Sequence, residues 1–467
     1  MKDASASPPL RILLDIPAEY RSRALWVLDH VSTVLGLPVV EESSLPSADL
    51  VYSTTPGGAN SLRFDQSCYE AGGSFALSDD GGPSLWASGG NDPDLLGGMF
   101  RLLTLLDEGA VDPGQRNALG IFNTPGLPES RRAVLTRPLV EHHIERLWSR
   151  VAKARPDLER PPRWPGGKRW ACIVTHDTDA VSLGRPRELL YNTAKLFARR
   201  EPVRARMILA GLRHRRRPMG DPYFGFPEWR RLEARREIRS AFYLFVLPAG
   251  VRRHLHDSRS AITAPGIDVT PLREMADMGW EFGLHASIHS RHHPDGLRRG
   301  RQLLESHLER PIDGLRHHYW ALDWERPWRT FRQHAAAGFR YDSSLAWRDV
   351  PGYRAGTSLP FRPFDLEERR PINLWELPAG IMDGHILERT SAGSEEAALS
   401  LIEETRSVGG LLVLNWHTET ANQAMTQGGY RDAFERILDR VVSGGDVWIT
   451  TPRQLLDHWE ARAGRGR

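Results

Sequence analysis

Short apolar runs recur through the second part of the chain, each separated from the next by a longer segment of helical or loop character. These runs lie at residues 170–175, 240–247, 281–284, 339–345, 374–378, 410–416 and 446–450. Apolar runs of this length, bounded by turn signals, are typical of buried strands, and their alternation with helices is typical of a parallel sheet. The sequence therefore predicts an α/β fold in which residues 169–467 form an irregular (β/α) barrel.

A smaller α/β domain is predicted before the barrel, over residues 1–153. An apolar strand at 10–16 precedes a helix at 18–36, and a second strand (49–53) and helix (94–106) follow. The glycine-rich loops of this part contain neither G-x-G-x-x-G nor a phosphate-binding loop between a strand and a helix, so no nucleotide site is predicted. Residues 154–168 combine several prolines with Gly166 and Gly167, which is typical of a linker.

Charge and cysteine content restrict the functional classes. The net charge of +3 gives no general attraction to nucleic acid, and nucleic acid is not expected as a partner. Cys68 and Cys172 are too few for a disulfide framework or a four-cysteine zinc site. The N-terminus lacks the pattern of a signal peptide, and no apolar stretch is long enough to span a membrane. We therefore expect a cytoplasmic protein.

Two aspartates and two histidines stand at the ends of predicted barrel strands. Asp177 and Asp179 close the first run, and because alternate residues of an extended segment point the same way, both carboxylates can face one site. His285 and His289 follow the 281–284 run at the i, i+4 spacing that lets two imidazoles bind one ion across a helical turn. Taken singly, each pattern is also common in turns and helix caps that have no catalytic role.

Further polar residues follow two other predicted strands. Arg316 and Tyr319 occur in GLRHHYW, and His417 closes the apolar run of GGLLVLNWH. The carboxyl ends of barrel strands open on one face, so these residues are predicted to share a site with the aspartates and histidines. Carboxylates, imidazoles and a guanidinium suit a divalent metal ion with an acid and a base, a combination used for hydrolysis.

The motifs THDTD, HASIH, RHHY and LNWH, in this order, resemble those of the NodB-type polysaccharide deacetylases, carbohydrate esterase family 4. The resemblance extends over about residues 168–455 and is absent from the N-terminal part. It implies a NodB-type barrel, in an intracellular branch with an extra N-terminal domain. It also implies a metal-dependent hydrolase that removes an N-acetyl group from an amino sugar, with a divalent ion, Zn²⁺ by preference.

The same resemblance implies a role for each matching residue. The implied metal ligands are Asp179, His285 and His289. The implied catalytic residues are the general base Asp177, the general acid His417, Arg316 to orient the base, Tyr319 to hold the oxyanion through its backbone N–H, and Asp342 as carboxylate partner of His417. Two positions depart from the family pattern, since Ala286 replaces Ser or Thr and His318 replaces Pro.

Two other functions stay open. His254 and His256 have the H-x-H spacing of amidohydrolase metal ligands, although no clear strand precedes them. A catalytically silent relative that binds sugar would keep the barrel without turnover. A glycosidase is disfavoured, because Asp177 and Asp179 lie two residues apart on one strand end and not on opposite sides of a bond.

The resemblance implies an N-acetylated sugar or a lipid-linked glycan as substrate, and a basic insertion at residues 185–217 suggests a second partner. The insertion holds eleven Lys and Arg against Glu188 and Glu201, while Leu190 and Phe197 share a helical face. Basic amphipathic segments bind anionic membrane surfaces without spanning them. The insertion is therefore either a solvated hairpin or a surface that holds the protein at the inner face of the membrane.

Overall fold

The structure is a computed structural model. It describes residues 8–58, 60–72, 75–78, 85–87, 92–109, 111–215, 220–248, 257, 260–387, 394–422 and 429–465. The H-x-H pair at His254 and His256 and the last basic residues of the insertion lie outside these ranges. Within the described ranges, no helix is long and apolar enough to cross a membrane.

The N-terminal part is built on a parallel four-stranded sheet in the order β2-β1-β3-β4, with a separate antiparallel pair. The strands are β1 (Leu10–Asp15), β2 (Val39–Glu42), β3 (Leu50–Ser53), β4 (Ser61–Arg63), β5 (Ala76–Ser78) and β6 (Leu85–Ala87). The helices are α1 (Ala18–Leu35), α2 (Leu95–Leu103), α3 (Leu106–Gly109), α4 (Glu129–Arg132) and α5 (Leu139–Ala154). The predicted strands at 10–16 and 49–53 and the predicted helix at 18–36 are present, whereas the predicted helix at 94–106 is divided into α2 and α3.

The second part contains a nine-stranded sheet in which neighbouring strands pair in parallel. Its strands are β7 (Trp170–Thr178), β8 (Ala241–Phe245), β9 (Glu281–Ala286), β10 (Gly314–His317), β11 (Tyr341–Asp342), β14 (Trp375–Glu376), β15 (Ile381–Met382), β16 (Leu411–Asn415) and β17 (Val447–Thr450). The order is β14-β11-β10-β9-β8-β7-β16-β15, and β17 pairs with the first half of β7. A two-stranded antiparallel pair, β12 (Phe364–Asp365) with β13 (Arg370–Pro371), lies apart from this sheet.

Each of the seven predicted runs overlaps one of these strands, so the α/β fold with a parallel, irregular barrel sheet is confirmed. Two barrel strands fall outside those runs. The strand β10 contains Arg316 and His317, and β15 is only two residues long, so neither forms a continuous apolar run.

Helices connect the strands of the sheet. They are α6 (Pro186–Arg199), α7 (Val203–His214), α8 (Phe226–Ala234), α9 (Thr270–Asp277), α10 (Pro294–Leu308), α11 (Pro327–Ala336), α12 (Asp383–Leu387), α13 (Glu395–Ser407), α14 (Tyr430–Val442) and α15 (Pro452–Arg465). Proline occupies one of the first two positions of α6, α8, α9, α10 and α11, where its missing N–H costs no helical hydrogen bond.

The N-terminal part packs directly on the barrel, and the buried apolar side chains of both form one continuous cluster. In the Pro-rich connection, the buried Trp164 stacks on Trp459 with ring centroids 5.4 Å apart. Its indole N–H donates to the Gly409 carbonyl at 2.8 Å. The connection is therefore held in place by tertiary contacts and does not act as a free spacer.

Buried polar contacts join the N-terminal part to the loop that follows β11. The Thr124 hydroxyl donates to the Asp349 carboxylate at 2.6 Å, and the Ser358 N–H donates to the Glu141 carboxylate at 2.8 Å. This loop leaves the carboxyl end of its strand, which is the side of a parallel barrel where active sites form. The N-terminal part therefore contacts the barrel at its functional face.

Candidate metal and catalytic site

Asp177, near the end of β7, has both carboxylate oxygens held by neighbouring strands. The Arg316 guanidinium, from β10, donates through Nη1 to Oδ1 at 3.0 Å. The Asn415 side chain, at the end of β16, donates through Nδ2 to Oδ2 at 2.8 Å. The aspartate is buried, so these two contacts fix the direction in which its remaining lone pairs point.

Arg316 is itself fixed on every guanidinium nitrogen. Its Nε donates to the Ser343 carbonyl and its Nη2 to the Ser343 hydroxyl, both at 2.8 Å, while Nη1 also donates to the Thr175 hydroxyl at 2.8 Å. The guanidinium lies over the ring of Tyr243, 4.5 Å from its centroid. Burial opposes ionisation of Asp177, but the charges of Arg316, His285 and His417 together outweigh it and lower the pKa of that carboxyl below its usual value.

A metal-binding arrangement forms around Asp179, the first residue after β7. Its Oδ1 lies 3.2 Å from His285 Nε2, and its Oδ2 lies 3.2 Å from His318 Nε2. One ligand atom from each of the three residues lies within 4.8 Å of the other two. We refer to Asp179, His285 and His318 as the Asp179 cluster. One carboxylate and two imidazoles are a common set of protein ligands for Zn²⁺ at catalytic sites.

The hydrogen bonding of His285 indicates that a cation belongs in this cluster. The ring Nδ1 lies 3.1 Å from the Arg316 carbonyl, which can only accept, so Nδ1 must carry the proton. In the neutral ring Nε2 is then an unprotonated acceptor, and it faces the Asp179 carboxylate, also an acceptor, at 3.2 Å. Two acceptors at this distance require a proton or a metal ion between them. A backbone carbonyl on the far nitrogen is the usual support of a metal-binding histidine.

The second histidine beside the Asp179 carboxylate, in addition to His285, is His318 and not His289. The predicted i, i+4 geometry requires a helix, but His285 lies in β9 and His289 in the following 3₁₀ turn, Ile288–His292. His289 is exposed, and its backbone N–H donates to the Ser287 hydroxyl at 3.2 Å. His318, 8 % exposed, follows the neighbouring strand β10 and occupies the position where the family pattern has Pro.

His417, two residues after the end of β16, is paired with Asp383 and not with Asp342. Its Nδ1 lies 2.9 Å from one Asp383 oxygen, and its backbone N–H donates to the other at 3.0 Å. Its Nε2 lies 3.9 Å from an oxygen of Asp179. Burial opposes protonation of His417, but the carboxylates of Asp383 and Asp179 raise its pKa well above the usual value. The arrangement suits a proton donor beside the metal cluster.

Asp342, the predicted partner of His417, lies elsewhere in the sheet. It pairs in register with Glu376 of β14, and its Oδ1 accepts from the Ser344 hydroxyl at 2.6 Å. Burial and the charge of Asp342 raise the pKa of Glu376 well above its usual value, so the two carboxyls can share a proton. Because Ser344 also accepts from the His317 N–H at 2.9 Å, Asp342 supports the strand end that carries Arg316.

Tyr319 lies in a 3₁₀ turn (His318–Trp320) with a left-handed backbone. Its φ is 59°, and Trp320 follows with φ 49°. Such conformations cost side-chain-bearing residues of order 1–3 kcal/mol each and are concentrated at functional sites. The guanidinium of Arg348 lies 4.6 Å from the centroid of the Tyr319 ring. The turn thus presents His318 to the cluster and sharply redirects the chain immediately after it.

The structure therefore brings together Asp177, Asp179, His285, Arg316 and His417 as predicted, and it adds three residues that the sequence analysis did not select. His318 directly follows β10, so the criterion of a polar residue at a predicted strand end would have found it, whereas Asp383 follows β15, a two-residue strand that the sequence does not indicate. Asn415 is the last residue of β16, two before His417.

No protein-family model and no curated protein matches the chain. Among solved structures, a protein described as a polysaccharide deacetylase from Mycobacterium smegmatis is 21 % identical, with 64 % of this chain and 93 % of that chain covered and a TM-score of 0.42. PuuE allantoinase is 14 % identical, with 66 % and 95 % covered and a TM-score of 0.41. A mutant of a CE4-family pseudoenzyme with restored activity is 10 % identical, with 65 % and 74 % covered and a TM-score of 0.29.

Proposed function

We propose that this protein is a metal-dependent hydrolase of the polysaccharide deacetylase type, which removes the N-acetyl group of an amino sugar. The observation that carries the proposal is the contact of His285 Nε2 with Asp179 in a group of three possible metal ligands, a contact that requires a proton or a metal ion between the two atoms. A buried aspartate fixed by an arginine lies on the same strand end, and a His–Asp pair lies 3.9 Å from the cluster. Together these groups supply what hydrolysis of an amide requires.

The proposed metal ligands are Asp179, His285 and His318. Nitrogen and oxygen donors in this ratio suit Zn²⁺, or a similar divalent ion. When bound, the ion acts as a Lewis acid toward the amide carbonyl and lowers the pKa of water at the site. His289 takes no part in this set, because its side chain is exposed on the 3₁₀ turn after β9.

Asp177 is the proposed general base. It is kept ionised by Arg316 and oriented by Asn415, so an oxygen lone pair is available to take the proton of the attacking water. The attack forms the new C–O bond at the acetyl carbon. The backbone N–H of Tyr319 is the proposed donor to the developing oxyanion, a role that a rigid turn beside the cluster suits.

His417 is the proposed general acid. Asp383 holds its Nδ1 and favours the protonated ring, so that Nε2 can give its proton to the sugar nitrogen as the C–N bond breaks. The products are acetate and the free amino sugar. The proposed substrates are an N-acetylated saccharide or a lipid-linked glycan that carries one.

The test compares zinc content and zinc affinity of the purified protein with those of single variants. Asp179→Asn, His285→Gln and His318→Gln should each bind zinc at least about tenfold more weakly, since the loss of even a supporting contact costs this much. His289→Gln is the matched control and should bind zinc as the wild type does. If His318→Gln keeps the wild-type affinity while His289→Gln loses it, the ligand set is refuted.

Turnover is tested separately, by acetate release from N-acetylated saccharides and lipid-linked glycans. Asp177→Asn should keep zinc and lose at least about 10² in kcat, the usual contribution of a positioned base. A zinc-loaded wild type that binds these sugars but releases no acetate from any of them would refute the catalytic proposal in favour of a silent sugar-binding relative.

A further inference from the structure

The hairpin formed by α6 and α7 exposes an unusual amount of apolar surface. Nine large apolar side chains are exposed in the described part of the chain, and four of them lie on this hairpin. These four are Leu190 (71 % exposed), Phe197 (78 %), Leu209 (68 %) and Leu212 (54 %). Isolated exposed apolar residues are common, but four of them on one helical hairpin indicate an interaction surface.

Polar side chains of the hairpin face inward, which reverses the usual arrangement of a surface helix. Glu188 and Asn192 of α6 are fully buried, and the Asn192 amide donates to the Glu188 carboxylate at 3.2 Å. Arg204 of α7 donates to the Asn192 carbonyl oxygen at 3.0 Å, which links the two helices. These polar groups form hydrogen bonds with one another inside the hairpin, whereas apolar side chains are exposed on its outer side.

Exposed cations lie on the same hairpin as these apolar side chains. Residues 186–215 contain eight Lys and Arg against two glutamates. One glutamate is the buried Glu188 of α6, and the other, Glu201, accepts from Arg204 at 2.8 Å. Arg187, Arg206 and Arg213 are exposed on the two helices. The outer surface of the hairpin is therefore both apolar and cationic.

We propose that the α6–α7 hairpin rests on an anionic lipid surface, with its apolar side chains among the acyl chains and its arginines at the headgroups. A hairpin that exposes both apolar and cationic side chains is complementary to such a surface. A second copy of the chain would instead bring two cationic faces together, which is unfavourable. The inner side of the hairpin lies close to the candidate site, because Ala180 and Leu183, shortly after Asp179, pack with the buried Met207 of α7.

The proposal is tested by co-sedimentation of the full chain with vesicles, a measurement that does not depend on catalytic activity. We expect binding to phosphatidylglycerol–phosphatidylcholine vesicles, little binding to pure phosphatidylcholine, and loss of binding as salt is raised. Equal binding to both kinds of vesicle, or no binding to the anionic ones, would overturn the proposal.

Variants separate the apolar and the electrostatic contributions. Phe197→Ser and Leu209→Ser should each weaken partitioning about tenfold, and Arg206→Gln with Arg213→Gln about thirtyfold, at about fivefold per charge. The matched control is Leu45→Ser, which removes a leucine of similar exposure (66 %) from the N-terminal part and should bind like the wild type.

Two results of the variant series would contradict the proposal. One is binding of Phe197→Ser and Leu209→Ser that equals that of the Leu45→Ser control. The other is a wild-type dimer, seen by sedimentation velocity without vesicles, that dissociates in Phe197→Ser, because a second copy would then be what covers the face.

Discussion

Removal of the ion pair between Glu108 and Arg354 should strongly destabilise the protein, because this pair joins the N-terminal part to the loop after β11. Arg354 donates through Nε and Nη2 to the Glu108 carboxylate at 2.8–3.0 Å. Both side chains are almost inaccessible, at 1 % and 6 % exposure. The guanidinium also donates to the Ala346 carbonyl at 3.2 Å and lies 3.2 Å from the centroid of the Trp324 ring.

The magnitude follows from this burial. Loss of one partner of a buried pair leaves the other charge uncompensated, at about 3–5 kcal/mol. The cation over Trp324 contributes about 1 kcal/mol more, so Arg354→Met should lower the free energy of unfolding by about 4–6 kcal/mol. The double variant Glu108→Met/Arg354→Met removes both charges and should cost no more than about 2 kcal/mol. The double variant should therefore cost much less than the sum of the two single variants, which is the result expected for two residues that interact directly.

The assay is urea unfolding followed by circular dichroism, with the four proteins of the cycle compared at one pH. The matched control is Arg329→Met, which removes an exposed arginine paired with Glu367 and should change stability by less than about 1 kcal/mol. If Arg354→Met costs no more than this control, or if the double variant costs the sum of the singles, the reasoning from burial is refuted.

Two further predictions concern the general acid and the pH dependence of stability. Asp383→Asn should lower kcat about 10²- to 10⁴-fold with zinc content unchanged, whereas Asp342→Asn should change kcat far less. Acetate release measures kcat, and elemental analysis measures the zinc content. A larger loss of kcat in Asp342→Asn than in Asp383→Asn would refute the pairing of His417 with Asp383. Burial lowers the pKa of His143 to about 4. The neutral ring therefore contributes about 3 kcal/mol to the free energy of unfolding; this contribution is fully present above pH ~6.5 and is lost as the pH falls toward about 4. The urea midpoint of His143→Gln should therefore fall less than that of the wild type over this range, and equal falls would contradict the assignment.

The fold class and half of the site could be predicted from local pattern. Most buried parallel strands lie in continuous apolar runs, so they are visible in the sequence where such a run is present. Asp177, Asp179, His285 and His417 were found because each stands at or just past the end of such a run, where a parallel barrel opens.

The second histidine beside Asp179 could not be predicted in the same way. The i, i+4 spacing of His285 and His289 has a meaning only within one helix, and the chain leaves β9 through a 3₁₀ turn that exposes the second histidine. The other histidine beside Asp179 is His318, which follows the next strand, β10, at the start of a turn with left-handed backbone. No local sequence pattern indicates the conformation of that turn.

The order of strands in the sheet determines which aspartate pairs with the His417 ring. Asp342 and Asp383 both follow or end short strands, and the sequence offers no reason to prefer the second. The strand β15 pairs with β16, which carries His417 at its end, whereas β11 lies near the opposite end of the sheet beside β14. Alternation of residues along a strand is local and can be read from sequence. The order in which strands pair is set by long-range packing, and it brings Asp383 to within 2.9 Å of His417.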